Sequence, residues 1–299
     1  MHPSNHYLDV GGLRIHYLEW GVRGRQPLVL LHGTARVAHT FDHIAPHFAD
    51  RYHIIAVDLR GHGDSAWDPH GAYMVEDYTQ DVDALIAHLE LTNVVLWGNS
   101  TGGRVAQVLA GARPGRIAAV IVEDVGPERP SAIAHRRAER MAREQSGWES
   151  IDALMQQAAA DSPRTPPARL EAFVRHGSAR RADGRIVWKR DPAILNGFVP
   201  TELWDSVRRI ESPILYIVGG ASTIVPPHTR EALSRALPHA QIVEMPGLGH
   251  YPSDEQPEAF VAIVDRFLAA AGAPVQPAGA HATADAGNTA PTNPQGPDA

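Results

Sequence analysis

The stretch VVLWGNSTGG, residues 94–103, runs from four apolar residues into a glycine-rich turn that holds one serine, Ser100. A short apolar run that ends in turn residues is typical of a buried strand, and the pattern at about 101–112 is helical. Glycines two positions before and after the serine, Gly98 and Gly102, let backbone segments pass close to the turn. The stretch therefore predicts a sharp strand-to-helix turn that exposes a hydroxyl at the carboxyl end of a sheet.

This turn places Ser100 beside a helix N-terminus, where free N–H groups favour developing negative charge. We interpret Ser100 as a catalytic nucleophile. A glycine-rich turn that binds phosphate is the alternative interpretation. The stretch fits neither phosphate-binding pattern, G-x-x-x-x-G-K-[ST] or G-x-G-x-x-G, so the nucleophile interpretation is favoured.

A serine hydroxyl is a weak nucleophile until a base, itself oriented by a third group, removes its proton. The candidate histidines after Ser100 lie in a predicted insertion (His135, His176), beside a surface-like helix (His228, His239), or in the loop after the last predicted strand (His250). Side chains in that loop point to the same edge of the sheet as Ser100. We therefore predict that His250 is the base, with a surface or capping histidine as the alternative.

The acid of such a triad must come from another loop at the same edge. The loop after the strand predicted at 213–219 reads GGASTIVPP and contains no acidic residue, whereas the preceding predicted strand ends with Glu123 and Asp124. Asp124 enters the loop and can reach across the mouth of the sheet, while Glu123 has the opposite parity. We predict that Asp124 is the acid; a turn-capping role is the alternative, and Asp205 and Asp254 are more distant candidates.

Acyl chemistry through a serine also needs two hydrogen-bond donors for the oxyanion. One is the N–H group of Thr101, which directly follows the nucleophile. The other should come from the loop after the strand that ends in LLHG, residues 30–33, and this makes the N–H group of Thr34 the candidate. The prediction concerns the backbone of both residues rather than their side chains.

Strand and helix patterns alternate along most of the chain. Residues 7–20 alternate apolar and polar side chains around a Gly-Gly pair and predict a β-hairpin. Further strands are predicted at 27–33, 53–58, 94–98, 117–123, 213–220 and 240–245, and helices at 39–48, 75–91, 101–112, 227–237 and 257–271. Alternation of this kind predicts a parallel sheet with helices on both faces.

The alternation stops at 127–208, where helices are predicted at 131–145, 150–160 and 166–177, with a turn and short strand at 182–188. We therefore predict a core made of residues 1–126 and 209–272, and a helical cap inserted at 127–208. The tail at 273–299 is rich in Ala, Pro, Gly and Thr and has no aromatic residue. Such a segment cannot bury enough apolar surface to fold, so it is predicted to be disordered.

Composition excludes several classes of function. The 299 residues carry a formal charge of −7 and include no cysteine, which rules out disulfides, thiolate catalysis and cysteine-ligated metals. No basic tract is long enough to follow a nucleic acid, and no apolar run is long enough to cross a bilayer. Without a secretory signal pattern at the N-terminus, we expect a cytoplasmic enzyme with a small-molecule substrate. Monomer and dimer both stay open.

A metal site is conceivable at His39, His43 and His47, which recur every four residues as ligands on one helix face would. Pro46 disturbs such a helix, and no carboxylate is patterned with the three histidines. We therefore predict no metal and no cofactor.

Four segments together resemble the signature blocks of the α/β-hydrolase superfamily. They are LLHG (30–33), VDLRGHGDS (57–65), GNSTGG (98–103) and GLGHYP (247–252). The resemblance extends over about residues 7–271. It implies a mostly parallel eight-stranded sheet with helices on both faces and a helical cap inserted after the sixth strand. It also implies that Asp58, Arg60 and His62 are structural.

One departure from the family pattern is informative. Most relatives carry the triad acid after the seventh strand, where this chain has Ala221, Ser222 and Thr223. Some members place the acid after the sixth strand, as Asp124 would be here. Among these, the chain is similar to the 2-(acetamidomethylene)succinate hydrolase type, which has a comparable separation of Ser and Asp and a serine in the loop after strand seven. A serine nucleophile argues against the haloalkane dehalogenase and epoxide hydrolase branches.

The sequence thus predicts a serine hydrolase that cleaves a small carboxylic ester, lactone or related acyl compound through an acyl-enzyme. A C–C or C–N bond hydrolase is the alternative, and a ligand receptor that keeps the hydrolase fold is a third hypothesis. Residues 126–208 hold 13 Arg and one Lys against 11 acidic residues, a balance that suits an anionic substrate or simply a solvated surface. Candidate substrate-pocket residues in the cap are Trp148, Trp188, Phe198 and Trp204, and a small core of the cap itself is the alternative role for them.

Overall fold

The computed structural model describes residues 2–34, 36–128, 144–195 and 201–272, and its central feature is an eight-stranded sheet. In chain order the strands of the structure are β1 (Ser4–Val10), β2 (Leu13–Gly21), β3 (Gln26–Leu31), β4 (Tyr52–Val57), β5 (Val94–Asn99), β6 (Ile117–Glu123), β7 (Ser178–Arg180), β8 (Ile186–Trp188), β9 (Ile214–Gly219) and β10 (Gln241–Met245). The order across the main sheet is β1-β2-β4-β3-β5-β6-β9-β10. The pairs β1–β2 and β2–β4 are antiparallel and the others parallel, so the predicted mostly parallel sheet is confirmed.

Burial explains why the central strands are continuous apolar runs. Every residue of β5, β6 and β9 except Ala118 is buried, as expected for strands covered on both faces. β5 and β6 pair in parallel with Asn99 opposite Glu123. Because the two strands end level with each other, the residues that follow them, Ser100 and Asp124, enter loops at the same edge of the sheet.

Helices cover both faces of the sheet. Their bounds are α1 (Val75–His88), α2 (Thr101–Ala112), α3 (Ile151–Asp161), α4 (Pro167–Gly177), α5 (Trp204–Val207), α6 (Pro227–Ala236), α7 (Pro252–Glu255) and α8 (Pro257–Ala270). On one face, α1, α2, α5 and α6 pack against strand residues such as Leu96; on the other, α8 packs against strand residues such as Trp97. Successive side chains of a strand point to opposite faces of the sheet, so each strand contributes residues to both apolar cores.

Between β6 and β9 the chain builds α3, α4 and the two-stranded sheet β7–β8. Their buried apolar residues form a small cluster of their own, which Val37 of the core joins. The helices predicted at 150–160 and 166–177 and the strand within 182–188 are present, while β7 was not predicted. The predicted helix at 131–145 lies almost wholly outside the described residues, as does the tail at 273–299.

The helix predicted at 39–48 is replaced by two short 3-10 turns, Ala38–Phe41 and Ala45–His47. Pro46 stands at the start of the second turn, where its missing N–H group is tolerated, but it cannot sit inside a continuous helix. None of the helices in the described part of the chain has the length and apolar character needed to span a membrane.

Candidate active site

Ser100 occupies a strained turn between β5 and α2. Its backbone has φ 49° and ψ −114°, a conformation that residues with a side chain rarely adopt. A Cβ atom at Gly98 would lie 2.2 Å from the backbone of Gly102, and one at Gly102 would lie 2.1 Å from the carbonyl oxygen of Leu31. Only glycine fits at these two positions, so the G-x-S-x-G spacing is a direct consequence of how closely the backbone packs here.

Asp124 is fully buried at the end of β6, also in a positive-φ conformation, with φ 45°. Its Oδ1 accepts a hydrogen bond of 3.0 Å from the N–H group of Gly219, the last residue of β9. Its Oδ2 accepts a hydrogen bond from the hydroxyl of Ser222. The serine that stands where most relatives carry the acid therefore binds the carboxylate supplied by the neighbouring strand.

His250 meets this carboxylate from the loop after β10. Its Nδ1 lies 2.7 Å from Oδ2 of Asp124. The side-chain amide of Asn99, the residue before Ser100, donates a 3.4 Å hydrogen bond to the carbonyl oxygen of His250. The structure thus brings together Asp124 and His250 across 126 positions of sequence, and Ser100 and His250 line the same cavity.

The other candidate carboxylates have different partners. Asp254 lies within 3.1 Å of the Arg36 guanidinium and 3.6 Å of the His43 ring. Asp205 has a side chain that is 91 % exposed and pairs with Arg208 on the surface. Neither carboxylate contacts His250 in the described structure, and Asp124 does.

Thr34 and Thr101, the predicted sources of the oxyanion donors, are neighbours across the two loops. Their Oγ1 atoms lie 2.5 Å apart. The N–H group of Gly102 donates to the carbonyl oxygen of His32 over 3.1 Å, which ties the start of α2 to the loop after β3. The two backbone segments that would hold an oxyanion therefore lie side by side next to Ser100.

A cavity of about 420 Å³ opens at Ser100, bounded on one side by the loops that hold Thr34, Ser222 and His250 and on the other by α3 and α4. Trp188 lines it, as do Leu170 and Phe173 of α4.

The other predicted pocket residues do not line this cavity in the described structure. Trp148 packs edge-on against Trp188, with ring centroids 6.0 Å apart. Trp204 lines a different depression and donates its indole N–H to Glu128. Phe198 lies outside the described residues.

Arg36 was not singled out in the sequence, and it is a central residue of the cavity wall. It is 4 % exposed, and its guanidinium lies 4.0 Å from the ring centroid of Tyr251 and 4.6 Å from that of Phe173. Burial alone would lower the pKa of Arg36, but Asp254 and Tyr251 outweigh burial and raise it, so the group is charged. Arg36 joins the Thr34 loop, the His250 loop and α4 through one side chain. In the sequence, its position two residues after Thr34 is what could have indicated that Arg36 lies near the site.

Glu123 points away from the cavity, as its parity predicted. It is fully buried; its Oε1 accepts the N–H group of Ser253 over 2.9 Å, and its Oε2 accepts the indole N–H of Trp97 over 3.4 Å. Burial raises the pKa of Glu123 to about 7. Between its ordinary pKa and about 7, the folded protein holds a proton that the unfolded chain releases, so the free energy of unfolding falls as pH rises through that window.

We expect Glu123→Gln to remove this dependence. Each unit of difference between the folded and unfolded pKa values of Glu123 corresponds to about 1.4 kcal/mol. Burying the ionised carboxylate therefore lowers the free energy of unfolding by roughly 3 kcal/mol above pH 7. The melting temperature of the variant minus that of the wild type should therefore increase from pH 5 to pH 8. Thermal unfolding at both pH values measures this, with the exposed Glu258→Gln as the control. Parallel pH profiles for Glu123→Gln and the wild type would contradict it.

Three residues of the VDLRGHGDS segment make structural contacts. Asp58 is buried and accepts hydrogen bonds from the N–H groups of Ala38 and Asp64. Arg60 forms a paired contact with the Asp81 carboxylate. Burial lowers the pKa of His62 well below its ordinary value, so its ring is neutral. These contacts support the structural role that the family resemblance implied for all three.

Comparison with known proteins places the chain among hydrolases. A family model described as the alpha/beta hydrolase family matches residues 28–263. The chain is 30 % identical over 260 residues to esterase Rv0045c of Mycobacterium tuberculosis, covering 84 % of this chain and 85 % of that protein. It is 26 % identical over 273 residues to 2-(acetamidomethylene)succinate hydrolase of Mesorhizobium japonicum, covering 89 % and 96 %. A crystal structure of E-2-(acetamidomethylene)succinate hydrolase superposes with a TM-score of 0.80 at 26 % identity, over 90 % of this chain and 100 % of that one.

Proposed function

The chain belongs to the alpha/beta hydrolase family, and from that premise we propose that it cleaves a small carboxylic ester, lactone or related acyl compound with Ser100 as nucleophile, His250 as base and Asp124 as acid. Esterases and hydrolases among its relatives support hydrolysis as the general reaction. The single observation that carries the residue assignment is the 2.7 Å contact between Asp124 and His250 at the cavity that Ser100 lines.

The first half of the proposed reaction forms an acyl-enzyme. His250 uses its Nε2 to take the hydroxyl proton of Ser100, whose Oγ attacks the substrate carbonyl carbon. The developing oxyanion accepts hydrogen bonds from the N–H groups of Thr34 and Thr101. The protonated imidazole then gives its proton to the leaving alcohol as the C–O bond breaks.

The second half releases the acid. His250 takes a proton from water, whose oxygen attacks the acyl carbon; the bond to Ser100 Oγ then breaks and the serine recovers its proton. Throughout, Asp124 accepts the Nδ1–H of His250, which fixes the tautomer and stabilises the imidazolium. The Ser222 hydroxyl and the Gly219 N–H group hold the carboxylate in place for this task.

A fluorophosphonate probe tests the nucleophile directly. We expect one covalent adduct per chain, located at Ser100 by peptide mass spectrometry, because only an activated serine reacts readily. His250→Ala should lower the labelling rate by at least about 100-fold. Ser234→Ala, which changes a surface serine of α6, is the matched control and should label like the wild type. Labelling of Ser100 that is unaffected by His250→Ala would contradict the assignment.

The cavity size predicts the acyl preference. A volume of about 420 Å³ is near the lower end of the range of small-molecule sites, about 300–1,000 Å³. We therefore expect p-nitrophenyl butyrate to be hydrolysed with a higher kcat/KM than the dodecanoate ester. Leu170→Ala, which removes side-chain volume from the cavity wall on α4, should shift the preference toward longer chains. A dodecanoate preference in the wild type would contradict this prediction.

A C–N hydrolase is the second candidate, favoured by the superposition on E-2-(acetamidomethylene)succinate hydrolase. Arg36 lines the cavity and is paired with Asp254 at 3.1 Å, so a substrate carboxylate would share this cation with Asp254. The same triad would serve, with an amine in place of the alcohol as leaving group. Turnover of N-acyl enamine carboxylates at a higher kcat/KM than any aryl ester would favour this candidate.

A further inference from the structure

Three side chains that ligate metals meet where α4 packs against the turn Ala38–Phe41. Nδ1 of His39 lies 2.9 Å from Oδ2 of Asp42, and the ring of His176 stacks on the ring of His39 with centroids 3.7 Å apart. One ligand atom from each of the three lies within 4.8 Å of the other two. His39 and Asp42 belong to the segment after β3, whereas His176 is in the last turn of α4, so the cluster joins distant parts of the chain.

The donor set suits a transition metal. Imidazole and carboxylate ligands bind Zn²⁺ at about 2.0–2.2 Å, which puts ligand atoms roughly 3.3 Å apart in a tetrahedral site. The hydrogen bond of 2.9 Å between His39 and Asp42 is slightly shorter than this spacing, and the stacked rings of His39 and His176 would have to turn for a nitrogen lone pair of each to face the ion. Two imidazoles favour zinc, copper, cobalt or nickel over magnesium and calcium, which prefer oxygen ligands.

Asp42 supplies a second, independent observation. Its Oδ1 is buried and has no hydrogen-bond partner among the described residues. A buried carboxylate oxygen without a partner is costly, and a cation held by Oδ1, or by both oxygens of the carboxylate, would satisfy it. The side chains of His39 and Asp42 are only partly buried, at 16 % and 33 % exposure, so an ion can reach them from solvent.

The charges around the cluster do not oppose a cation. The nearest basic side chains that act on His176 are Lys189 and Arg175. Lys189 is paired with Asp64 at 2.9 Å, and Arg175 is paired with Glu171 at 2.7 Å.

A second group of similar composition shows the contrast. His16, Asp58 and Asp64 also hold ligand atoms within 4.8 Å of one another. There, His16 binds Asp58 and Asn5, and the Asp58 carboxylate accepts two backbone N–H groups. The ligand atoms of His16 and Asp58 already have hydrogen-bond partners within the protein, so this second group has a structural role.

We propose that His39, Asp42 and His176 bind one divalent transition-metal ion, with Zn²⁺ as the probe of choice, and that the ion fastens α4 to the turn Ala38–Phe41. Leu170 and Phe173 of the same helix line the cavity. An ion at this junction therefore restrains one wall of the cavity without touching Ser100 or His250.

Thermal unfolding of the full chain, without an affinity tag and after treatment with chelator, tests the proposal. We expect Zn²⁺ at 100 times its Kd to raise the melting temperature by about 5 °C. His176→Ala should lose most of this increase. His47→Ala, which removes an exposed histidine outside the cluster, is the matched control and should keep it. Because each variant is compared with and without Zn²⁺, a change in intrinsic stability does not affect the result.

Cobalt provides a second measurement that reports on the ligands themselves. Co²⁺ bound by two imidazoles and a carboxylate should show the visible absorption of a low-symmetry complex, with one ion per chain at saturation. Asp42→Asn keeps the shape of the side chain and should abolish or shift that spectrum. Spectra and Zn²⁺-dependent melting increases that are the same in the wild type, Asp42→Asn and His176→Ala would overturn the proposal.

Discussion

Ser100→Ala is expected to lower kcat by about 10⁴-fold or more for whichever ester the protein hydrolyses best, because no other group in the proposed reaction can form the acyl-enzyme. Alanine keeps the Cβ atom at this strained position, whose φ is 49°, so the melting temperature should change little. Steady-state kinetics and thermal unfolding of the same preparation separate loss of chemistry from loss of fold.

Ser234→Ala is again the matched control, since it removes an exposed hydroxyl that donates to the carbonyl oxygen of Arg230 in its own helix. It should keep the wild-type kcat. A Ser100→Ala variant with more than a hundredth of the wild-type kcat would rule out the serine mechanism while leaving the fold assignment unaffected. Activity that survives in this way would direct attention to a water molecule activated by His250 alone.

Asp124→Asn is the second variant for which a very large effect is expected, a decrease in kcat of about 10⁴-fold. The amide can still accept the N–H group of Gly219, but its NH₂ group would then face both Ser222 and His250 in place of the acceptor oxygen Oδ2. An imidazole that meets a donor at Nδ1 adopts the wrong tautomer and presents a proton on Nε2 to the serine. KM should change far less than kcat, because Asp124 is buried behind His250 and does not line the cavity.

Asp205→Asn is the matched control for this variant. Asp205 is an alternative candidate in the sequence, and its carboxylate lies on the surface beside Arg208. The control should retain wild-type kcat. If Asp124→Asn kept full activity while Asp205→Asn or Asp254→Asn lost it, the acid would be reassigned and the roles of Ser100 and His250 would stand.

The sheet could be predicted from the sequence because its strands follow local rules. The hairpin at 7–20 alternates apolar and polar residues, and the central strands are short apolar runs that end in turn residues. The G-x-S-x-G spacing could also be interpreted correctly as a tight turn, because the clash of a Cβ atom at Gly98 with the backbone of Gly102 is local; the clash at Gly102 with Leu31 is a contact between distant segments that the spacing alone does not show. The prediction failed at 39–48, where Pro46 divides a helical pattern into two 3-10 turns.

What the sequence could not supply are contacts between distant segments. Arg36 lies between rings contributed by Tyr251 and Phe173, which are more than a hundred positions away along the chain. His39 meets Asp42 and His176, not His43 and His47, with which its spacing groups it. Phe198 lies outside the described residues, and so does most of the predicted helix at 131–145, so both stay predictions.

The position of Asp124, the proposed acid, directly after β6 has a consequence for how this protein could be diversified. The loop after β9 borders the cavity through Ala221, Ser222, Thr223 and Ile224, and the hydrogen bond from this loop to the Asp124 carboxylate comes from Ser222. Random mutagenesis confined to Ala221, Thr223 and Ile224 would reshape the pocket while leaving Asp124 in contact with Ser222 and His250. In relatives that carry the acid in this loop, the same library would destroy activity in many of its members. A search for altered substrate preference should therefore begin at this segment.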